Sequence, residues 1–264
     1  MSDLVIEHHA DNGVCTLTLN SESNRNALSK QMLETLLHAM QSACDTSAVR
    51  VIVLSAKGSA FSAGHDLKEI EAHRHDPDQG VQFFETLMAL CAETMQTIVN
   101  APKPVIAQVN GIATAAGCQL VASCDLAYAS AESKFSTPGV HIGLFCSTPM
   151  VALSRNVATK HAMEMLLVGE MVDAPEAEAM GLINRCVAAS DLNQTVETVA
   201  SKIASKSGRT LKIGKQAFYA QKQLPLEDAY RYTSEVMVAN LLETDAREGI
   251  SAFLEKRTPH WSKA

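Results

Sequence analysis

Two periodicities of hydrophobic residues follow each other along this chain, and together they predict a mixed α/β fold. Residues 4–20 form two short β-rich runs around the turn Asp11-Asn12-Gly13, a pattern typical of a hairpin. Apolar residues recur at helical spacing over 29–44 and 80–99, whereas 50–55 is an apolar run of strand length. The chain therefore alternates strands and helices from its beginning.

The pattern changes near residue 190, where the alternation gives way to helices alone. Up to that point a strand–strand–helix order repeats, which predicts one core over 1–190. We assign 191–264 to a helical C-terminal region. Its candidate helices are 191–206, 210–223, 226–242 and 244–256. Because such a region cannot easily bury all its apolar faces alone, we expect it to contact other subunits.

The stretch 104–130 combines a strand, a turn and a helix made of small residues. Its β-rich run ends at Asn110-Gly111, and small residues around Ala116 open an apolar helical segment. The first amides of such a helix have no partner inside it, and the helix dipole adds about half a positive charge at that end. An oxygen that becomes negative during a reaction is stabilised there. Alternatively, the small residues serve only the close packing of a core helix.

An earlier stretch, 59–69, has the same character. It follows the strand at 50–55, and its small residues Ala63 and Gly64 allow the backbone to approach another group closely. Two such elements in one chain predict two backbone N–H donors that converge on one ligand atom.

Four segments of the chain together resemble the crotonase (enoyl-CoA hydratase/isomerase) superfamily. They are SAGHDLKEI at 62–70, PKPVIAQVNGIATAAGCQLVASCDLAYAS at 102–130, TPGVHIGL at 137–144 and EGISAFLEKR at 248–257. The resemblance implies an α/β spiral of repeated β-β-α units over 1–190 that holds an acyl-CoA site. It also implies that the C-terminal helical region over 191–264 serves oligomerisation, as a homotrimer or a dimer of trimers. The substrate would be a coenzyme A thioester, with no tightly bound cofactor.

The resemblance also assigns site residues. It places the thioester oxygen between the backbone amides of His65 and Ala116. The His65 ring either points away or joins the reaction as an acid or base. The residues expected to bind coenzyme A are Arg25, Ala27, Ala63, Asp66, Leu67, Lys68 and, near a neighbouring subunit's nucleotide, Lys256. The alternative for each basic side chain is a solvated surface charge.

The chain departs from the hydratase pattern at two positions. Where the family carries its two catalytic glutamates, this sequence has Gln119 and Gly139. An amide holds water but cannot take its proton at neutral pH, and glycine can do neither. We therefore predict an enzyme of the enoyl-CoA hydratase/isomerase type, a lyase or isomerase of fatty acid metabolism. It would stabilise a thioester enolate but would not carry out ordinary hydration. The alternative is a non-catalytic acyl-CoA-binding or regulatory protein.

Other polar residues have simpler interpretations. His73 and His75 form an HxH pair, but without a supporting third ligand they favour a polar loop, and we predict no metal site. The resemblance suggests that 66–80 is a flexible lid. His141 and Cys146 are either a nucleophile pair or, for Cys146, part of an apolar wall. Ser147 is expected to cap a helix over 148–157.

Composition excludes several function classes. A net charge of −7 and a pI near 5.7 disfavour nucleic-acid binding, including the RNA-binding role known for some family members. Seven cysteines, an odd number without CxxC spacing, indicate reduced thiols. The first residues have neither signal-peptide nor transit-peptide character, and no apolar run reaches the ~18 residues of a membrane span. We therefore expect a soluble cytoplasmic protein without membrane partners.

Overall fold

A computed structural model describes residues 3–262 and shows a mixed α/β architecture. The strands are β1 (Val5–His9), β2 (Val14–Leu19), β3 (Val51–Ala56), β4 (Ala60–Ser62), β5 (Val105–Val109), β6 (Ile112–Thr114), β7 (Leu126–Ser130), β8 (Lys134–Ser136), β9 (Val172–Asp173) and β10 (Arg185–Val187). The helices are α1 (Lys30–Asp45), α2 (Leu67–His73), α3 (Val81–Asn100), α4 (Ala116–Ser123), α5 (Pro149–Leu153), α6 (Thr159–Val168), α7 (Ala174–Ala179), α8 (Ala189–Ala204), α9 (Gly208–Gln221), α10 (Leu226–Leu242) and α11 (Thr244–Leu254).

The strands divide into two sheets that share the same repeating units. One sheet has six strands in the order β1-β2-β3-β5-β7-β10, and the other has four in the order β4-β6-β8-β9. All pairs are parallel except β1 with β2 and β8 with β9. Successive pairs β3–β4, β5–β6 and β7–β8 each give one strand to each sheet, with helices following. This arrangement confirms the predicted spiral of β-β-α units.

Both faces of the six-stranded sheet are buried, which explains why its central strands are apolar throughout. On one face α1 and α3 pack with residues such as Leu36, Met40 and Leu87. The other face is covered by α8, through Leu192 and Val196. The division of the chain after residue 190 stays a prediction. The helix α8, which falls almost wholly in the proposed C-terminal region, packs against the six-stranded sheet of the core.

Local signals predicted several element boundaries well, but two segments differ from expectation. Residues 66–80 contain the helix α2, which Asp66 caps by accepting from the amides of Lys68 and Glu69, where the sequence suggested a polar connector. The helix expected over 148–157 is only the short α5, whose N-cap is Thr148. Ser147 does not cap it, because its Oγ donates to the carbonyl of Phe145 at 3.3 Å.

The C-terminal helices are tied to the core by a buried ion pair. Lys215 of α9 lies 2.7 Å from the Asp125 carboxylate, and their side chains are 7% and 17% exposed. The same Lys215 amine donates to the carbonyls of Ile98 and Lys103, and the Tyr219 hydroxyl donates to Asp125. Within residues 3–262 no helix is long and apolar enough to span a membrane.

Replacement of Lys215 by methionine should lower the free energy of unfolding by about 3–5 kcal/mol, since it leaves the Asp125 charge buried without its partner. Urea unfolding measures the change. Lys30→Met is the control, because Lys30 pairs with Glu34 at 3.8 Å on an exposed helix face, where such pairs contribute about 0–1 kcal/mol. Similar losses in both variants would contradict the structural role of the Lys215 pair.

Candidate functional site

The two stretches singled out by their small residues lie against each other. Strands β4 and β6 pair in parallel, with Ser62 opposite Ala113, so the segments that follow the two strands leave the sheet at the same edge. The Thr114 hydroxyl donates to the carbonyl of Ala63 at 3.1 Å and links the two turns. The parallel pairing therefore brings together segments that are about fifty residues apart in the sequence.

Glycines make this close approach possible. A Cβ on Gly64, whose φ is +82°, would lie 2.9 Å from the Ala115 Cβ and 3.1 Å from the Ala116 amide nitrogen. A Cβ on Gly117 would lie 2.3 Å from the carbonyl oxygen of Ser62. No larger residue fits at either position without displacement of backbone, so the contact between the two turns is built into the glycines.

Two backbone amides at this junction are unpaired. Over the described part of the chain, no oxygen accepts a hydrogen bond from the amide of His65 or of Ala116. Ala116 is the first residue of α4, and no side chain caps that helix. The preceding Ala115 has φ 49° and ψ −120°, a strained conformation for a residue with a Cβ. The junction thus presents backbone donors and the positive end of a helix.

The segment around Asn26 holds in place the first of the two turns, the one that follows β4. Asn26 was not identified from the sequence as a structural residue. Asn26 is fully buried, and its side-chain Nδ2 donates to the backbone carbonyls of Lys57 and Ala60, both at 2.8 Å. The Ser62 hydroxyl in turn donates to the Asn26 carbonyl at 2.8 Å. The only local signal was an asparagine before a helix, a residue type that tolerates the positive φ of 51° found here.

The His65 ring has a fixed orientation. Its Nδ1 lies 3.1 Å from the carbonyl oxygen of Leu28, an acceptor, so Nδ1 carries the proton. Its Nε2 is buried and has no partner within residues 3–262. Burial, the largest influence, lowers the pKa of His65 below its usual value. The ring is therefore neutral and keeps one unpaired acceptor atom.

The residues expected to bind coenzyme A differ in position and in exposure. Arg25 and Ala63 lie side by side, since the Ala63 amide donates to the Arg25 carbonyl at 3.0 Å. Ala27 is buried, while Leu67 and Lys68 are exposed on α2. The Asp66 carboxylate is taken up by capping that helix, as described above. Lys256 lies just beyond α11 with φ 55°. For all of them, contact with a ligand stays a prediction.

Gln119 and Gly139 are both buried. The Gln119 Oε1 lies 4.0 Å from the Cys91 sulfur on α3, a weak hydrogen bond. Gly139 follows β8 in a 3-10 turn over Pro138–Ile142. A Cβ there would lie 2.9 Å from the Cys146 sulfur and 2.9 Å from the Leu144 carbonyl oxygen. The space beside Gly139 is therefore already filled.

Cys146 and His141 do not form a hydrogen-bonded pair within the described residues. His141 is exposed, and its Nε2 would lie 3.0 Å from a Cβ on Gly169. Burial raises the pKa of the Cys146 thiol, and a hydrogen bond from the Gly139 amide opposes that shift in part. These contacts favour Cys146 as an uncharged part of the wall.

Gly139→Ala should destabilise the protein by about 1–3 kcal/mol, because the new methyl group meets the Cys146 sulfur and the Leu144 carbonyl. Denaturant unfolding measures the loss. The double variant Gly139→Ala with Cys146→Ala should recover part of it relative to the sum of the single variants. Additive losses would show that the sulfur does not limit the space.

The HxH segment is engaged in local contacts. The His73 ring stacks on Phe83 with centroids 3.7 Å apart, and its Nδ1 lies 2.7 Å from the Asp76 carboxylate. The carboxylate of Glu69 accepts from the Lys30 amide at 3.0 Å, which ties α2 to the start of α1. Movement of 66–80 as a lid stays a prediction.

Comparison with known proteins decides the family. The model of the enoyl-CoA hydratase/isomerase family matches residues 9–264. The chain belongs to this family. The human protein named enoyl-CoA hydratase domain-containing protein 3, mitochondrial, is 47% identical over 250 residues, which is 95% of this chain and 81% of that protein. A putative enoyl-CoA hydratase of Thermus thermophilus is 34% identical over 250 residues, covering 94% and 97% of the two chains.

Solved structures agree with this assignment. An enoyl-CoA hydratase of Mycobacterium smegmatis has a TM-score of 0.93 at 47% identity and covers 98% of both chains. The human enoyl-CoA hydratase domain-containing protein 3 has a TM-score of 0.92 at 45% identity, covering 98% of this chain and 100% of that one. Likeness to this group within the enoyl-CoA hydratase/isomerase family is predicted by the segments GCQLVASCDLA and STPGVHIGLFCSTP and by the tail FLEKRTPHW, and the identities confirm it.

The predicted cytoplasmic localisation is wrong by the same comparison. Five relatives in the enoyl-CoA hydratase/isomerase family, from frog, human, rat, mouse and zebrafish, carry the word mitochondrial in their names. Composition and reduced cysteines did not distinguish the two compartments, because both keep thiols reduced.

Proposed function

We propose that this chain binds an acyl-CoA thioester and stabilises the enolate oxyanion formed from it between the backbone amides of His65 and Ala116. The contact between the two turns, with both amides unpaired, is the observation that supports this proposal most directly. Backbone donors fixed in advance stabilise developing negative charge without reorganisation, and each contributes about 10²–10³ in rate. The family membership supplies the thioester as substrate class.

The neutral His65 ring fits this role. With its Nδ1 proton donated to the Leu28 carbonyl, the ring is held in one orientation, and the stabilisation of the oxyanion is left to the two backbone amides. Because its Nε2 is buried, we propose that the ring holds the turn that carries the His65 amide rather than taking a proton from the substrate.

Hydration is not the reaction that these residues favour. Gln119 and Gly139 stand where the hydratases carry glutamates, and neither takes a proton from water. The packing around Gly139 also leaves no room for a longer side chain, since the Cys146 sulfur occupies it. We therefore assign enolate chemistry that needs no pair of carboxylates, such as decarboxylation or isomerisation.

A second candidate is a non-catalytic acyl-CoA-binding protein. This candidate is favoured because none of Gln119, Gly139 and Cys146 carries a charge that could transfer a proton. Binding needs only the backbone amides and the contacts to coenzyme A. For those contacts we keep Arg25, Ala63 and Lys68 as the proposed partners of the nucleotide.

We also propose that the C-terminal helices make a trimer or a dimer of trimers. Phe253 and Leu226 are 82% and 75% exposed on these helices, more apolar surface than such helices leave in contact with water. In such an assembly we keep Lys256, just beyond α11, as the proposed contact to a neighbouring subunit's nucleotide, as the family resemblance implies.

A panel of acyl-CoA thioesters tests the proposal. Binding is measured by calorimetry, and turnover by chromatography of the products. Turnover of any thioester supports the enzyme, binding without turnover supports the second candidate, and absence of binding contradicts both. Crotonyl-CoA should be hydrated at least about 10³-fold more slowly than by a two-glutamate hydratase, since both proton-transferring groups are missing.

A further inference from the structure

We propose a second site of a different chemical class, a zinc-type divalent metal site formed by Glu7, His9 and Cys15 at the edge of the six-stranded sheet. The site is independent of the thioester site. It lies on the hairpin β1–β2, and β1 is the terminal strand of the sheet.

The register of the hairpin brings the three side chains to one face. His9 lies directly opposite Cys15 in the antiparallel pair. Glu7 precedes His9 by two residues and therefore points to the same face of the sheet. Neighbouring and diagonal side chains on one face of such a pair are within reach of each other. Three metal-binding residue types thus converge without any long-range rearrangement.

The distances are close to those of a coordination site. The His9 Nε2 lies 2.6 Å from the Glu7 Oε1, and the Cys15 sulfur lies 3.8 Å from the same oxygen. All three candidate ligand atoms lie within 4.8 Å of one another, and no other cluster of this kind occurs within residues 3–262. In a tetrahedral zinc site with bonds of about 2.0–2.3 Å, ligand atoms are about 3.5 Å apart. Small side-chain rotations are enough to reach that geometry.

One carboxylate oxygen here faces two donors, an imidazole and a thiol. A divalent cation replaces both hydrogen bonds with coordination bonds. The sulfur loses its proton to solvent and binds as thiolate. The Nε2 proton that His9 donates to Glu7 is also given up to solvent, and the neutral imidazole, with its remaining proton on Nδ1, binds the cation through the Nε2 lone pair. Burial, the largest cause, raises the pKa of the Cys15 thiol to about 12, so the metal-free side chain is a neutral thiol.

The chemistry of the three ligands indicates which metals the site prefers, and the solvent exposure of Glu7 and His9 indicates how a metal ion reaches it. Thiolate and imidazole prefer zinc and similar transition metals over magnesium or calcium. The Cys15 side chain is buried beneath the strand, while the His9 and Glu7 side chains are 47% and 32% exposed. A cation therefore enters from solvent, and its fourth position is left to water. Bound metal ties the edge strand β1 to β2.

Cobalt and zinc titrations of the full-length chain, purified without a histidine tag, test the proposal. Co²⁺ should produce thiolate-to-cobalt charge-transfer absorption with a stoichiometry of one per chain, and Zn²⁺ should displace it. His9→Gln, at an exposed position that tolerates the change, should weaken Zn²⁺ binding at least about tenfold. Cys15→Ser should abolish the charge-transfer absorption.

Matched controls separate this site from adventitious binding. His8→Gln changes a histidine on the opposite face of the same strand, and Cys186→Ser changes a thiol on a distant strand; both should leave Zn²⁺ affinity and the cobalt spectrum unchanged. The proposal is overturned by a cobalt spectrum without charge-transfer absorption. It is also overturned if His9→Gln binds Zn²⁺ as tightly as the parent, or if either control weakens binding as much as His9→Gln does.

Discussion

Replacement of Ala116 by proline should reduce thioester turnover by about 10²–10³, and a melting curve establishes whether the variant is folded. The ring removes the Ala116 N–H, one of the two proposed oxyanion donors. Proline is tolerated at the first position of a helix, because the amide there has no intrahelical partner, and Ala116 holds that position in α4. Steady-state kinetics on the thioester that turns over fastest measures the effect.

The control for this variant is proline at another helix start. Ala189 is the exposed first residue of α8, and the preceding Ala188 already has the extended backbone, ψ 144°, that a residue before proline prefers. Ala189→Pro should leave turnover unchanged. If Ala116→Pro keeps full turnover and a normal melting temperature, the amide is not an oxyanion donor.

The second large effect is expected at Gly117, where alanine should lower the free energy of unfolding by about 3 kcal/mol. A methyl group there would lie 2.3 Å from the carbonyl oxygen of Ser62, so α4 has to move away from β4, and overpacking of a buried contact destabilises strongly. Because the same movement separates the two turns, thioester affinity should fall as well. Urea unfolding and calorimetry measure the two losses.

Gly214 supplies a matched control with the opposite sign. It also lies inside a helix, α9, but a Cβ there meets nothing within 4 Å. Gly214→Ala should stabilise the protein by about 0.5–1 kcal/mol, since alanine favours the helix and restricts the unfolded chain. Equal effects of alanine at Gly117 and Gly214 would mean that the contact between α4 and β4 carries no special constraint.

The stabilising contacts of the site were harder to predict than its backbone. Helix starts follow from local signals: the sequence Asp173-Ala174-Pro175-Glu176 predicts an N-cap at Asp173, and the Asp173 carboxylate accepts from the Glu176 amide at 2.9 Å. In contrast, Asp125 and Lys215 are ninety residues apart, and nothing near either residue indicates the other. The sequence also contained no sign that Cys146 fills the space beside Gly139. That contact depends on how the chain folds back between the two residues, which no local pattern indicates.

Sequence patterns by themselves determined the secondary structure, the β-β-α order and the family of this protein. These properties depend on hydrophobic periodicity, capping residues and short motifs, which are all local. Only the tertiary structure decided which turns meet, that Asn26 holds the first of them, and that Glu7, His9 and Cys15 share one face. Those contacts depend on the pairing and register of strands, and pairing is a property of the folded sheets rather than of any one segment.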